Sequence, residues 1–364
     1  MNNLVILVGE EGRTRAVNEF LARLLELGAV DAMIVPTMPT PGVITYLLAC
    51  DPEFVRGEAA PFAPVMPVNG ASLVAGVVSK KPQGKIGALL KPCEIRALVE
   101  LVKLRQAEAD NLLIIGIDCI GTVSSREYKN AYPDTDNLSL REACRVCLNP
   151  DPPDTAFPGI NVGYIGLNGR HGLLTSLSPD LNPGIAAVME ELGFERGDDL
   201  AAERQAVLAA LKEERGKAFQ EFLRESEAES DGSGLEGIAG LLAACIGCRN
   251  CRVACPVCYC RECIFDGDVF EYETRQILGR AGKKGGLKIP GETLLYHLTR
   301  MNHMSLSCVT CGMCEEACPL DIRLFPLFAR MAKRTQSLFQ YVPGRSQEDP
   351  LPFTTFREEE LEPR

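Results

Sequence analysis

"CIGCRNCRVACPVCYCREC", residues 245–263, holds seven of the sixteen cysteines in a chain of 364 residues. Its first four, Cys245, Cys248, Cys251 and Cys255, are spaced C-x2-C-x2-C-x3-C and closed by Pro256. Farther on, Cys308, Cys311, Cys314 and Cys318 repeat the spacing and end in Pro319. In this pattern three thiolates of one run grip one cubane and the fourth crosses to the other, so two runs make one two-cluster device. The expected sets are Cys245, Cys248, Cys251 with Cys318, and Cys308, Cys311, Cys314 with Cys255, each holding a 4Fe-4S cluster. Zinc also accepts four thiolates, but zinc ribbons use paired C-x2-C units, whereas a double cubane accounts for both runs at once. Cys258, Cys260 and Cys263 are surplus. They read as packing residues, replacement ligands, a further metal site shared with a partner chain, or a redox sensor. Free cysteine is among the most buried residue types, so they stay outside the ligand set.

The rest of the chain bounds the setting. Its length exceeds one typical core, which implies two or more compact units. Hydrophobic residues make up 46% and charged residues 24%, an ordinary globular balance. A net charge of -11, from 38 basic and 49 acidic residues, argues against general affinity for nucleic acid or anionic lipid. "MNNLVILVGEEG" lacks the basic start of a signal peptide. No apolar stretch reaches the roughly 18 residues of a membrane span. A cytoplasmic protein is expected, and in that reducing compartment close cysteines read as metal ligands or redox groups rather than disulfides.

Ahead of the cysteine runs the hydrophobic pattern alternates. "LVILVG" (4–9), "DAMIVP" (31–36), "KIGALL" (85–90) and "NLLIIGID" (111–118) are short apolar strands. "TRAVNEFLARLLELG" (14–28) carries Val17, Phe20, Leu21, Leu24 and Leu25 on one helical face before Gly28 as C-cap, and "EIRALVELVKLRQ" (94–106) is a second helix. Such alternation predicts an α/β domain with a partly parallel sheet over 1–182. Loops rich in Pro, Asn, Asp and Gly over 125–170 hold one more strand, "INVGYIG" (160–166). A charged, alanine-rich connector of two or three surface helices spans 183–235, with "SDGSG" (230–234) as linker. An α-helical two-cluster ferredoxin-like domain covers 236–335, including the helical "PGETLLYHLTRM" (290–301), and an extended acidic tail covers 336–364.

Four more cysteines lie in the α/β part. Cys93 in "LLKPCEIRAL" and Cys119 in "IIGIDCIGT" each follow a strand, which puts both at the carboxyl edge of a parallel sheet, where such domains place ligands. Cys144 and Cys147 in "REACRVCLNPDP" offer a C-x2-C bite from a loop. A four-sulfur site and scattered core thiols both fit this spacing.

These motifs, with "INVGYIG" after them, resemble the coenzyme F420 hydrogenase/dehydrogenase beta-subunit family over roughly residues 1–180. With the two cysteine runs behind them, the whole chain is most like a formate dehydrogenase beta subunit. The resemblance implies that Cys93, Cys119, Cys144 and Cys147 hold a third 4Fe-4S cluster beside an FAD that exchanges hydride with F420. Carried over by position, Gly12, Thr14 and Asn69 would contact FAD, although "EEGRTRAVNEF" lacks the family's Gly-Gly segment and "MPVNGASL" its Ser-Pro-Asn segment. A molybdenum or tungsten formate site has no room beside three cubanes, so the implied role is electron transfer for a catalytic formate dehydrogenase or hydrogenase subunit. The long connection between the runs also resembles the ferredoxin-like domains of heterodisulfide reductase, and the competing role is a non-catalytic iron-sulfur adaptor docking such a complex. No catalytic residue is expected: His171, His297 and His303 are the only histidines, and none falls in a nucleophile or metal-protease motif. Arg300, Arg323 and Arg330 flank the second run and either tune its cluster, meet an acidic partner or simply solvate a helix.

Overall fold

Every residue from Ile86 to Leu90 is buried, as expected of an apolar strand covered on both faces. The computed structural model places this run, β4, at the heart of a sheet; it describes residues 2–8, 10–153, 157, 159–167, 172–177, 185, 188–189, 191–229, 234–260, 262–267, 270, 273–285 and 291–355. The eight strands are β1 (Asn2–Leu7), β2 (Ala32–Thr40), β3 (Val43–Ala49), β4 (Ile86–Leu90), β5 (Leu112–Ile117), β6 (Gly159–Gly163), β7 (Gly172–Leu177) and β8 (Glu195–Arg196). Their order is β3-β2-β4-β5-β6-β7-β1-β8. The central β2, β4, β5 and β6 run parallel, and antiparallel strands flank them. The mixed sheet expected from the alternating pattern is therefore present.

Helix α1 (Glu10–Glu26) turns its stripe of Val17, Phe20, Leu21 and Leu24 onto one sheet face, against Leu89, Ile115 and Ile160. Gly28, at φ +67, follows its end. The short α2 (Pro52–Glu58) packs beside it. On the other face lie α3 (Gly70–Val78) and α4 (Pro92–Lys103), whose Val74, Val78, Ile95 and Leu98 join Ala88 and Ile114. The same cluster takes in Val257, Met304 and Val309 from the cysteine-rich part. The two parts thus share one apolar interior.

Glu94 organises this face. Its carboxylate accepts from Tyr46 Oη at 2.6 Å, from Gly70 N at 2.7 Å and from Lys91 N at 2.7 Å. One fully buried side chain so joins β3, α3 and the first turn of α4. Burial and the Glu94 charge hold the Tyr46 hydroxyl well above its ordinary range, so it stays a donor.

The 183–235 segment differs from its expected set of two or three surface helices. Glu195–Arg196 forms the edge strand β8, and Asp198–Glu229 is one 32-residue helix, α7, numbered after α5 (Ser125–Ala131) and α6 (Glu142–Arg145). Arg204, Leu208, Arg215, Phe219, Phe222 and Ser226 are its buried face, and their spacing follows the helical repeat. Of the expected linker, residues 230–233 lie outside the described residues, as does His171.

The cysteine-rich part holds α8 (Leu235–Leu241), α9 (Asn250–Val253), α10 (Thr274–Lys284), α11 (Gly291–Met304), α12 (Met313–Glu316) and α13 (Leu324–Leu338). The chain then returns to the sheet part: Arg96 donates to Pro343 O at 3.0 and 2.8 Å, and Glu100 accepts from Tyr341 Oη at 2.6 Å and Gly344 N at 2.8 Å. The start of the expected free tail is thus clamped on α4, and residues 356–364 lie outside the described residues. Replacing Glu94 by Ala strands three buried donors, so Glu94→Ala is expected to lower stability by about 3 kcal/mol, checked by thermal unfolding under anaerobic conditions.

Candidate metal centres

Both C-x2-C-x2-C runs fold alike. Gly247 (φ +69) and Arg249 (φ +62) stand at the same places in the first run as Thr310 (φ +55) and Gly312 (φ +71) in the second. A one-turn helix, α9 or α12, follows each pair. Left-handed residues between successive cysteines curl the backbone around a common centre; in the first run Gly247 N donates to Cys245 Sγ at 3.5 Å. Arg249 and Thr310 hold this conformation without glycine's freedom, at a cost of about 1 kcal/mol or more each.

Each run encloses its own space. One cavity is lined by Cys245, Cys248, Cys251 and Cys318. A second is lined by Cys255, Cys308, Cys311 and Cys314. These are the two crossed sets expected from spacing, with the fourth cysteine of each run delivered to the other's site.

A third cavity is lined by Cys93, Cys119, Cys144 and Cys147. Cys93 enters from the first turn of α4 and Cys119 from the loop after β5, while Cys144 and Cys147 come from α6 and the turn after it. Lys91, Arg141 and Arg215 line the same space. Arg141 reaches Thr122 Oγ1 at 2.7 Å and Cys144 Sγ at 3.6 Å. The donor set, four sulfurs ringed by cations, suits an anionic iron-sulfur cage. Among the described residues no three His, Cys, Asp or Glu side chains converge as a single metal ion would require; a cage that meets each thiolate with a different iron needs no such convergence.

The cavities adjoin. Thr310 and Cys311 line both the second and the third. Arg300 lines the second and donates to Cys251 Sγ, of the first, at 3.1 Å. The contact between second and third is close because Gly312 has no side chain: a Cβ there would lie 2.5 Å from Ala143 Cβ on α6. Across the same seam Ser125 N donates to Glu316 at 2.8 Å, Arg323 pairs with Glu142 at 3.0 Å, and Phe222 stacks on Phe325 at 5.2 Å.

Burial governs the thiols. It pushes Cys119 and Cys308 up to about 11 and Cys311 to about 12, and it raises Cys93, Cys147, Cys255 and Cys314 as well. Without metal these side chains are neutral thiols at pH 7, so cluster assembly must release protons and is favoured as pH rises. His297 is buried beside the first cavity, its Nε2 3.6 Å from Cys245 Sγ; burial and Arg300 push it down to about 4.

Several residues that hold the third cavity carry no cysteine signal. Asp118 accepts from Tyr164 N at 2.8 Å, Ile165 N at 2.9 Å and Arg204 at 2.5 Å, and Arg215 donates to Ile120 O at 2.7 Å. The long helix α7 thereby fastens the loop that carries Cys119. Its charged sequence reads as surface, and only the helical spacing of Arg204 and Arg215 with Leu208 and Phe219 marks the buried stripe. Of the surplus cysteines, Cys258 packs on the α3–α4 core and Cys263 on the core around Tyr296. Cys258, Cys260 and Cys263 line none of the three cavities, and Cys50 lies exposed after β3.

The three residues expected at a flavin lie as follows. Asn69 is fully buried and its Oδ1 caps α3 through Ala71 N at 3.0 Å, leaving Nδ2 without a partner. A Cβ on Gly12 would meet Val8 Cβ at 3.1 Å, and Thr14 is exposed. None of the three lines the cavities above. Their neighbour Arg13 lies 5.8 Å from the Tyr164 ring centre, with Nε buried and unpartnered, and Phe62 meets that ring edge-on at 5.2 Å.

Residues 241–322 match the model of the 4Fe-4S dicluster domain, so the C-terminal part is an iron-sulfur domain with two 4Fe-4S clusters. The chain is similar to beta subunits of F420-dependent formate dehydrogenases. It is 28% identical to that of Methanocaldococcus jannaschii over 76% of this chain and 78% of the relative. It is 24% identical to the formate dehydrogenase 1 beta subunit of Methanococcus maripaludis over 92% of each. The sulfhydrogenase 2 beta subunit of Pyrococcus furiosus is 29% identical over 36% of this chain and 48% of its own length. A chain of the F420-reducing [NiFe] hydrogenase complex of Methanosarcina barkeri superposes with a TM-score of 0.47 and 14% identity over 64% of this chain and 94% of its own, too distant to bear on function. None of these four is a heterodisulfide reductase component. Among the described residues no helix is long and apolar enough to cross a membrane.

Two outcomes are expected here. Gly312→Ala should part the seam between the second and third cavities, lowering Tm and the iron bound per chain. Cys258, pushed up to about 12 chiefly by burial, should resist iodoacetamide at pH 8 while exposed Cys50 reacts, read by mass spectrometry of anaerobic protein.

Proposed function

We propose that this chain is the electron-transfer beta subunit of a formate dehydrogenase-like or hydrogenase-like complex, relaying electrons between a catalytic partner and a flavin. The observation that carries this reading is the continuity of three four-cysteine cavities, joined by Arg300 on one side and by Thr310 and Cys311 on the other. Its division follows the cavities: a sheet part carrying the third, α7 as a strap, and the dicluster part carrying the first and second.

The ligand sets are Cys245, Cys248, Cys251 and Cys318; Cys255, Cys308, Cys311 and Cys314; and Cys93, Cys119, Cys144 and Cys147. Bound clusters pass single electrons, and a flavin would pair them for hydride exchange with a carrier such as F420, which the names of the relatives favour. This chain's residues set the order of the stations and exclude water from all but the ends. Cys248 and Ile246 line the first cavity at the surface. Ile246 and Val253 are 67% and 73% exposed there, an apolar rim on which the catalytic subunit would seat. The unpartnered donors of Arg13, beside the Tyr164 ring that Phe62 meets edge-on, and of buried Asn69 are those a flavin would take. The adaptor reading is the less favoured, because the named relatives are beta subunits of formate dehydrogenases and of a sulfhydrogenase. A reducing cytoplasm suits so many unpaired cysteines.

Anaerobic protein should contain about twelve irons and twelve sulfides per chain, with one flavin released on denaturation. Cys119→Ser should remove about four irons and leave the two dicluster signals in the EPR spectrum. About eight irons in the unaltered protein, or no change on Cys119→Ser, would sink the third centre; absence of flavin would sink the hydride step alone.

A further inference from the structure

Arg300 on α11 is 4% exposed. Nη1 donates to Cys251 Sγ at 3.1 Å and Nη2 to Cys251 O at 2.9 Å. Its guanidinium carbon lies 4.8 Å from the Phe328 ring centre and 5.7 Å from that of Tyr296. The side chain also lines the second cavity, among Cys255, Cys308, Cys311 and Cys314. Its Nε is buried without a partner, and among the described residues no Asp or Glu pairs with it.

A permanently charged guanidinium buried with no carboxylate is costly unless another anion compensates it. The anions at hand are sulfurs: one ligand of the first cavity in direct hydrogen bond and four ligands of the second facing the same group. A hydrogen bond to a cluster sulfur and a nearby positive charge both favour the state carrying one more electron. One-electron reduction adds one negative charge to a cluster and breaks no bond, so a fixed cation 3.1 Å from a ligand sulfur stabilises the product more than the reactant.

We propose that Arg300 is the shared counter-ion of the two dicluster sites, a positioning residue that raises the reduction potential of the cluster held by Cys245, Cys248, Cys251 and Cys318 and, to a smaller extent, that of its neighbour. The proposal rests on the cluster reading above. It adds a direction of bias: electrons are drawn toward the surface-facing first site relative to a domain without this cation.

The test is a dithionite titration of the full chain followed by EPR, comparing the unaltered protein with Arg300→Gln and Arg300→Lys. With Gln, the midpoint of the first cluster is expected to fall by about 59 mV or more, a tenfold change in its oxidised-to-reduced ratio, with the second shifted less and the third unmoved. Lys keeps the charge without the planar fork and should recover part of the shift. The nitrogen hyperfine coupling contributed by the guanidinium should be lost in the Gln variant, leaving that of backbone donors such as Gly247 N. Full iron content with unchanged midpoints in Arg300→Gln would overturn the proposal. Should that variant lose iron, Arg300→Met, which keeps the length of the side chain and removes the charge, decides instead: a fall in the first midpoint supports the proposal and an unchanged midpoint overturns it. Absence of cubane signals from the unaltered protein would instead condemn the cluster reading itself.

Discussion

Keeping negative sulfur inside a protein interior is the constraint on which this structure turns. Burial alone drives the thiols of Cys93, Cys119, Cys308, Cys311 and Cys314 toward their neutral forms. Fixed cations oppose that pressure: Lys91, Arg141 and Arg215 ring one cavity, and Arg300 stands between the other two. Where such thiols take metal, binding releases their protons and is coupled to folding.

That constraint also explains how the parts are joined. A relay works only if its stations are close, and closeness here is enforced by absent atoms and by clamps. Gly312 lets Ala143 approach, Glu316 caps the Ser125 amide, and the stacked Phe222 and Phe325 bring α7 onto α13. The C-terminal return over α4 adds a second tie, with Arg96 and Glu100 holding Pro343, Tyr341 and Gly344. Burial of both Arg96 and Glu100 close to the Cys93 turn means that the chain's end helps to hold its middle.

The cysteines of all three cavities were legible because their chemistry is carried by spacing or by position. The crossed C-x2-C-x2-C-x3-C runs specify a fold of the loop by themselves, and Cys93 and Cys119 follow strands whose parallel pairing was visible in the apolar pattern. Whether Cys144 and Cys147 joined them was open from spacing and came only by resemblance. Asn69 caps a helix and Gly12 packs against Val8, structural roles that a motif match does not separate from ligand contact. The helix α7 was read as surface because charge dominates its composition, yet Arg204 and Arg215 are buried and fasten the Cys119 loop.

The sequence by itself determined which cysteines line each of the two crossed cavities, since that spacing delivers the fourth cysteine of each run to the other's site, and it determined the alternation that puts two more cysteines on one sheet edge. Only the tertiary structure decided that the second and third cavities share Thr310 and Cys311, that Arg300 and Arg141 reach sulfur rather than water, and that the tail docks on α4. The reason is that a long side chain's partner depends on which face of its helix is covered, and coverage is settled by elements far away in the chain.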